Sequence, residues 1–142
     1  MPNILEEFNN VIKDSVVNIL NISLSDLAHS QLTLPIAKGG LGLRLATEIA
    51  ISGYLSSVKA SSSAVNSLLP VNMLDVKDDF WELAFNQWKI LTSKDVEPSN
   101  PALQSSWDKE IIEYNYQNLV QSAPSIEEKA RNLAVSSANS SD

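Results

Sequence analysis

The sequence predicts an all-α fold, an irregular bundle of five to seven helices with a glycine-rich connecting loop at about residues 32–43. Three observations lead there. Apolar residues recur at spacings of three and four along most of the chain, the signature of amphipathic helices. Ser-x-x-Asp/Glu patterns, which satisfy the open N–H groups of a first helical turn, stand ahead of several of these stretches. Alternation at period two is confined to Leu32, Leu34 and Ile36 around Thr33 and Pro35, enough for one short extended piece.

Each element follows from its own residues. Leu5, Phe8, Ile12, Val16 and Ile19 form one stripe, so a helix is expected over about 4–20, with Asn3 as N-cap and Glu6 three residues later. Ser23 and Asp26 form a capping-box pattern ahead of Leu27 and Ala28, which opens a shorter helix ending near Gln31. Between Leu32 and Leu43 the periodicity stops, and Pro35, Gly39, Gly40 and Gly42 supply dense turn chemistry. A helix resumes near Leu45 through Ala46, Ile49, Ala50, Gly53, Tyr54 and Val58. Its small residues Ala46, Ala50 and Gly53 are spaced to admit another helix closely.

The run Ser61-Ser62-Ser63 weakens that helix, and a short apolar piece ends at Pro70. Asp75 to Leu91 reads as an amphipathic helix with Phe80, Trp81, Ala84, Phe85, Trp88 and Leu91 as core anchors. Pro98 and Pro101 flank Ser99 and Asn100, so the chain loops here, and 93–104 is the best place for a hinge. Ser105, three residues before Asp108, opens the next helix, which carries Trp107, Ile111, Ile112, Tyr116 and Leu119. Pro124 interrupts it. Ser125 and Glu128 then make a capping box for a last helix through Ile126, Ala130, Leu133 and Ala134. The expected organisation is a single helical domain over 1–138 and a frayed tail over 139–142, with no internal repeat.

Composition narrows the function. A chain of 142 residues fits one domain. Asp and Glu outnumber Lys and Arg by 17 to 10, and the net charge of −7 lowers the concentration of any polyanion around the molecule. This argues against free-standing nucleic-acid binding. With no cysteine, a disulfide framework, a thiolate metal site and a Cys nucleophile are all excluded. Glu6 and Glu7 stand where a signal peptide needs a basic start and an apolar run, so the chain is expected to be intracellular, in cytoplasm or nucleus, and not secreted. Lys13, Asp14, Glu48 and Lys59 break the longest apolar segments, and no membrane span is expected.

No catalytic, cofactor-binding or metal-binding residue is assigned. The glycine cluster invites comparison with a phosphate loop, but Gly42 is followed by Leu43, Arg44 and Leu45, not by Lys and then Ser or Thr. His29, the sole histidine, lacks an HxxxH or HxxE neighbour and reads as a surface or helix-end residue. No G-x-S-x-G elbow presents a serine nucleophile. Asp75, Asp78, Asp79 and Glu82 share one helical face; they bind a divalent cation or, as the helix dipole favours, stabilise a first turn. Trp81, Trp88 and Trp107 would stack on bases if exposed near Lys77 and Lys89, although aromatic residues more often fill cores.

The segment QLTLPIAKGGLGLRLATEIAISGYLSSV, Gln31 to Val58, resembles the region just after the polymerase core in reverse transcriptases of non-LTR retrotransposons. In that family a helical thumb leads into an LP-x-x-x-GGLG-[LI] element and then a helix of small and apolar residues. The matching positions here are Leu34, Pro35, Gly39, Gly40, Leu41, Gly42, Leu43 and Arg44. The stretches QSSWDKEIIEYNYQNLVQSA and EEKARNLAVSSANSSD look like the helical region downstream. The likeness touches most of the chain from Phe8 onward and is specific at GGLGLR.

The resemblance implies a thumb and post-thumb fragment of an RNA-directed DNA polymerase that lacks the paired catalytic aspartates, and hence not an enzyme by itself. Its implied partners are the rest of the reverse transcriptase polyprotein and, weakly, a template-primer duplex, whose phosphates Lys13, Lys38, Arg44 and Lys59 would face. No membrane and no cofactor enter. The alternative is an acidic helical protein-interaction module, which an exposed apolar patch containing Trp81, Trp88 or Trp107 would favour.

Overall fold

The structure, a computed structural model, describes residues 2–73 and 79–138. Among them are six α-helices: α1 (Pro2–Leu20), α2 (Asp26–Thr33), α3 (Ala46–Leu68), α4 (Asp79–Thr92), α5 (Gln104–Ser122) and α6 (Ile126–Ala138). Short 3₁₀ turns occupy Ile36–Lys38 and Val71–Met73. The all-α prediction is correct, and the described residues contain no strand. Leu34 and Pro35 do have extended backbone angles, but their hydrogen bonds go to turns and not to a neighbouring strand.

The expected 1–138 span contains two compact units. One comprises the described residues up to Thr47 together with those from Ile112 onward; the other is Glu48–Ile111. Each has its own core. In the first, Leu34, Tyr116, Leu119 and Val120 are buried, with Leu27 and Ile112 packed against them. Leu55, Phe85, Trp88, Trp107 and Ile111 form the second, flanked by Ile51, Trp81, Ala84 and Leu91.

Helix α1 begins at Pro2, ahead of Asn3, the expected cap; proline suits a first helical position because its missing N–H would have no intrahelical partner. Side-chain contacts of Asn3 lie outside the described residues. Leu5, Asn9, Ile12 and Val16 of α1 are half-buried and follow a three-four spacing. Phe8 (55% exposed) and Ile19 (80% exposed), expected on that stripe, turn outward on an adjoining strip with Ile4 and Val11. Asn9 takes the inward place at their expense. The Ala46 N–H donates to its Oδ1 at 2.7 Å, and its Nδ2 donates to Thr47 Oγ1 at 3.3 Å. A side chain from α1 therefore caps α3 from thirty-seven residues away. Asn9→Ala removes that cap and is expected to lower stability by about 1 kcal/mol, measured by urea unfolding followed by far-UV circular dichroism.

The cap of α2 is Ser25, not Ser23: the Ala28 N–H donates to Ser25 Oγ at 3.2 Å. The accepting hydroxyl must lie directly ahead of the first helical residue, Asp26, whatever acid follows. At α6 the expected capping residue does hold, with the Glu128 N–H donating to Ser125 Oγ at 3.1 Å. Helix α5 starts one residue early, at Gln104, and places Ser105 inside its first turn.

In α3 the buried positions are Glu48, Ser52, Leu55 and Ser56, so the close-packing stripe of Ala46, Ala50 and Gly53 is not the core face; Ala50 is exposed. Leu55 and Ile51 set that face because they reach the Trp88–Trp107 cluster. Ser61 to Ser63 do not end the helix. Ser61 Oγ donates to the Ser57 carbonyl at 2.8 Å and Ser62 Oγ to the Lys59 carbonyl at 2.9 Å, bonds that a helix accommodates. Of the expected Asp75–Leu91 helix, residues 75–78 lie outside the described residues and the remainder lies in α4, in which Phe80 is 75% exposed and not an anchor. The 139–142 tail also lies outside the described residues.

Inside the second unit, Trp88 and Trp107 are fully buried and meet edge to face at 5.0 Å. Each indole N–H is satisfied: Trp88 Nε1 donates to the Trp107 carbonyl at 3.3 Å, and Trp107 Nε1 to the Pro101 carbonyl at 2.8 Å. The 93–104 segment lies wholly in this unit and is tied at three points, by Lys94 to Glu110, by Glu97 to Lys59 at 2.7 Å, and by the Pro101 carbonyl.

Candidate functional site

The LPIAKGGLGLR stretch follows α2 directly, and its backbone closes onto that helix's end. The Leu41 and Leu43 N–H groups both donate to the Leu32 carbonyl, at 3.2 and 3.1 Å, and the Gly42 N–H donates to the Leu34 carbonyl at 2.8 Å. Gly39 and Gly40 donate to Ile36 and Pro35 carbonyls at 2.9 and 3.0 Å. Carbonyls left open where a helix ends are thus satisfied by the loop itself. Gln31 Nε2 adds a bond to the Gly39 carbonyl at 3.1 Å.

Two glycines are needed for different reasons. Gly39 has φ +82, the left-handed conformation that ends the 3₁₀ turn. Gly40 has an ordinary φ, but a Cβ there would lie 2.0 Å from the Leu34 carbonyl oxygen and 2.5 Å from that of Gln31. The same bonding rules out a phosphate loop. A phosphate cradle needs N–H groups aimed at the anion, and those of Gly39, Gly40 and Gly42 are spent on carbonyls.

The cations that the family resemblance assigned to a duplex go to three places. Lys38 pairs with Glu113 at 3.3 Å and sits 4.3 Å from the Tyr116 ring centre. Lys59 pairs with Glu97 and lies 4.7 Å from the Trp81 ring centre. Lys13 and Arg44 instead line one cavity within the first unit, together with His29, Thr33 and the apolar Leu32 and Leu43. His29 had no assigned role in the sequence. It sits in α2, partly buried, and its pKa is held below the usual histidine value first by burial and then by the Lys13 charge, against a smaller opposing effect of Asp26.

The other candidates resolve simply. Asp79 and Glu82 are exposed in the first turn of α4, where carboxylates are favoured by the helix dipole; Asp75 and Asp78 lie outside the described residues. Among the described residues no group of three or more His, Cys, Asp or Glu is placed to hold a metal ion. Trp88 and Trp107 are core residues, and Trp81 stacks on Phe85 at 4.9 Å, so none offers a free platform for a base. No helix among the described residues is long and apolar enough to cross a membrane. Compared with protein-family models, curated proteins and solved structures, the chain finds no match.

Proposed function

We propose that the chain is a non-catalytic helical segment resembling the region after the polymerase core of a retrotransposon reverse transcriptase, where it would support the polymerase and its template-primer duplex. The observation that carries this reading is the use made of GGLGLR. The element that bears the resemblance closes onto the end of α2, with the N–H groups of Gly39, Gly40, Leu41, Gly42 and Leu43 bonded to backbone carbonyls, so these groups serve the turn's geometry. Support for a duplex then falls to side-chain cations, through phosphate contacts that position a nucleic acid without reading its sequence.

Binding of a fluorescent RNA–DNA hybrid, followed by anisotropy as salt is raised, tests this. Weak binding at low ionic strength is expected, with log affinity falling linearly in log salt and a slope matching roughly two phosphate contacts. No binding at the lowest salt would remove any nucleic-acid role for the isolated chain.

A second reading, an acidic helical protein-interaction module, is favoured by the outward strip Ile4, Phe8, Val11 and Ile19 of α1. Its tryptophan form finds no support, because the indoles of Trp88 and Trp107 are buried.

A further inference from the structure

We infer that Lys13, His29 and Arg44 form a site for one oxyanion of the phosphate class, a phosphomonoester or phosphodiester group, at the cavity they line between α1, α2 and the loop ahead of α3. The cavity measures about 10 Å³, room for one water-sized group. A single phosphate oxygen therefore enters it and the remaining oxygens stay at the mouth. The walls are otherwise largely apolar, through Leu32, Leu43 and their neighbours, which weakens competition from water for the cationic groups.

Three positively charged or chargeable residues from separate segments line the one cavity, although the chain as a whole carries −7. Lys13 has no carboxylate within ion-pair distance among the described residues, unlike Lys38, Lys59 and Lys94. Arg44 lines the same wall and makes other contacts in the fold. The charged groups acting on His29 are Lys13 from α1 and Asp26 from α2, and Lys13 has the larger effect. The positive end of α3, which begins at Ala46 just after the lining residue Leu45, adjoins the same wall.

This inference does not rest on the polymerase reading, since an isolated phosphate group suffices to occupy the cavity. His29 is the sole histidine, so its imidazole proton resonances report on the site without labelling. The experiment is a pH titration of those resonances in the full chain, at ionic strength fixed with chloride, with and without inorganic phosphate or a dinucleotide phosphodiester. Phosphate is expected to raise the His29 midpoint by about one unit. Lys13→Gln should weaken the phosphate response about tenfold, and Lys13→Arg should retain it. A response to inorganic phosphate alone identifies a free-phosphate site, and a response to both probes identifies one that also accepts a nucleic-acid backbone. A midpoint shift no larger than chloride produces, or a phosphate response unchanged in both Lys13→Gln and Arg44→Gln, overturns the inference. Because all three variants are read against circular dichroism, loss of fold in one leaves the other two to decide.

Discussion

Gly40→Ala is expected to lower the stability of the first unit by about 3 kcal/mol or more, enough to unfold it partly under native conditions. The added methyl would meet the Leu34 carbonyl oxygen at 2.0 Å and the Gln31 carbonyl oxygen at 2.5 Å. Both obstacles are backbone at the end of α2, so no rotamer change can relieve the overlap. The loop must instead retreat, which breaks the Leu41, Gly42 and Leu43 bonds that close α2.

The neighbouring glycines give the control. Gly42 has φ +72 with open space around its missing side chain, so alanine there carries only the left-handed penalty of about 1–2 kcal/mol. Gly39 adds to the same penalty a 3.2 Å approach to Val135. The expected order of loss in urea unfolding followed by circular dichroism is Gly40 first, then Gly39, then Gly42. Equal losses at the three positions would contradict the packing argument.

Trp107→Ala should cost the second unit about 3–5 kcal/mol. The indole is fully buried, lies edge-on to Phe85 at 6.1 Å and to Trp88 at 5.0 Å, and donates to the Pro101 carbonyl. Truncation leaves a large cavity and strips the 93–104 segment of one of its three ties. Trp107→Phe restores most of the volume but not the N–H, and should recover more than half of the loss. Intrinsic fluorescence reads this directly, because Trp81 and Trp88 remain in the same unit.

Helical spacing exposed much of this architecture. Phe85, Trp88, Trp107 and Ile111 were all legible as inward positions, since large apolar residues at spacings of three and four have few other uses. Spacing fixes a stripe but not its edges, however, and so Phe8, Ile19 and Phe80 were placed inside when they point out. The Ser-x-x-Asp pattern points to Ser23 and not to the actual cap, Ser25, because the deciding fact is which serine immediately precedes the first helical residue.

The glycine-rich stretch announced a turn, yet nothing local revealed that Gly40 packs on two carbonyls of the preceding helix. Non-local placements were the least legible. The Asn9 cap on α3 and the meeting of Lys13, His29 and Arg44 join positions with no characteristic spacing in the chain, and only the tertiary fold brings them together.

The claim that the chain is a polymerase-supporting segment without a catalytic centre of its own is tested most directly by sequencing the genomic flank upstream of the Met1 codon and translating it in all frames. The account predicts an upstream coding sequence, intact or eroded, with a paired-aspartate β-turn of the metal-binding kind that nucleotidyl transfer requires. An upstream sequence with no trace of such a pair in any frame would contradict it.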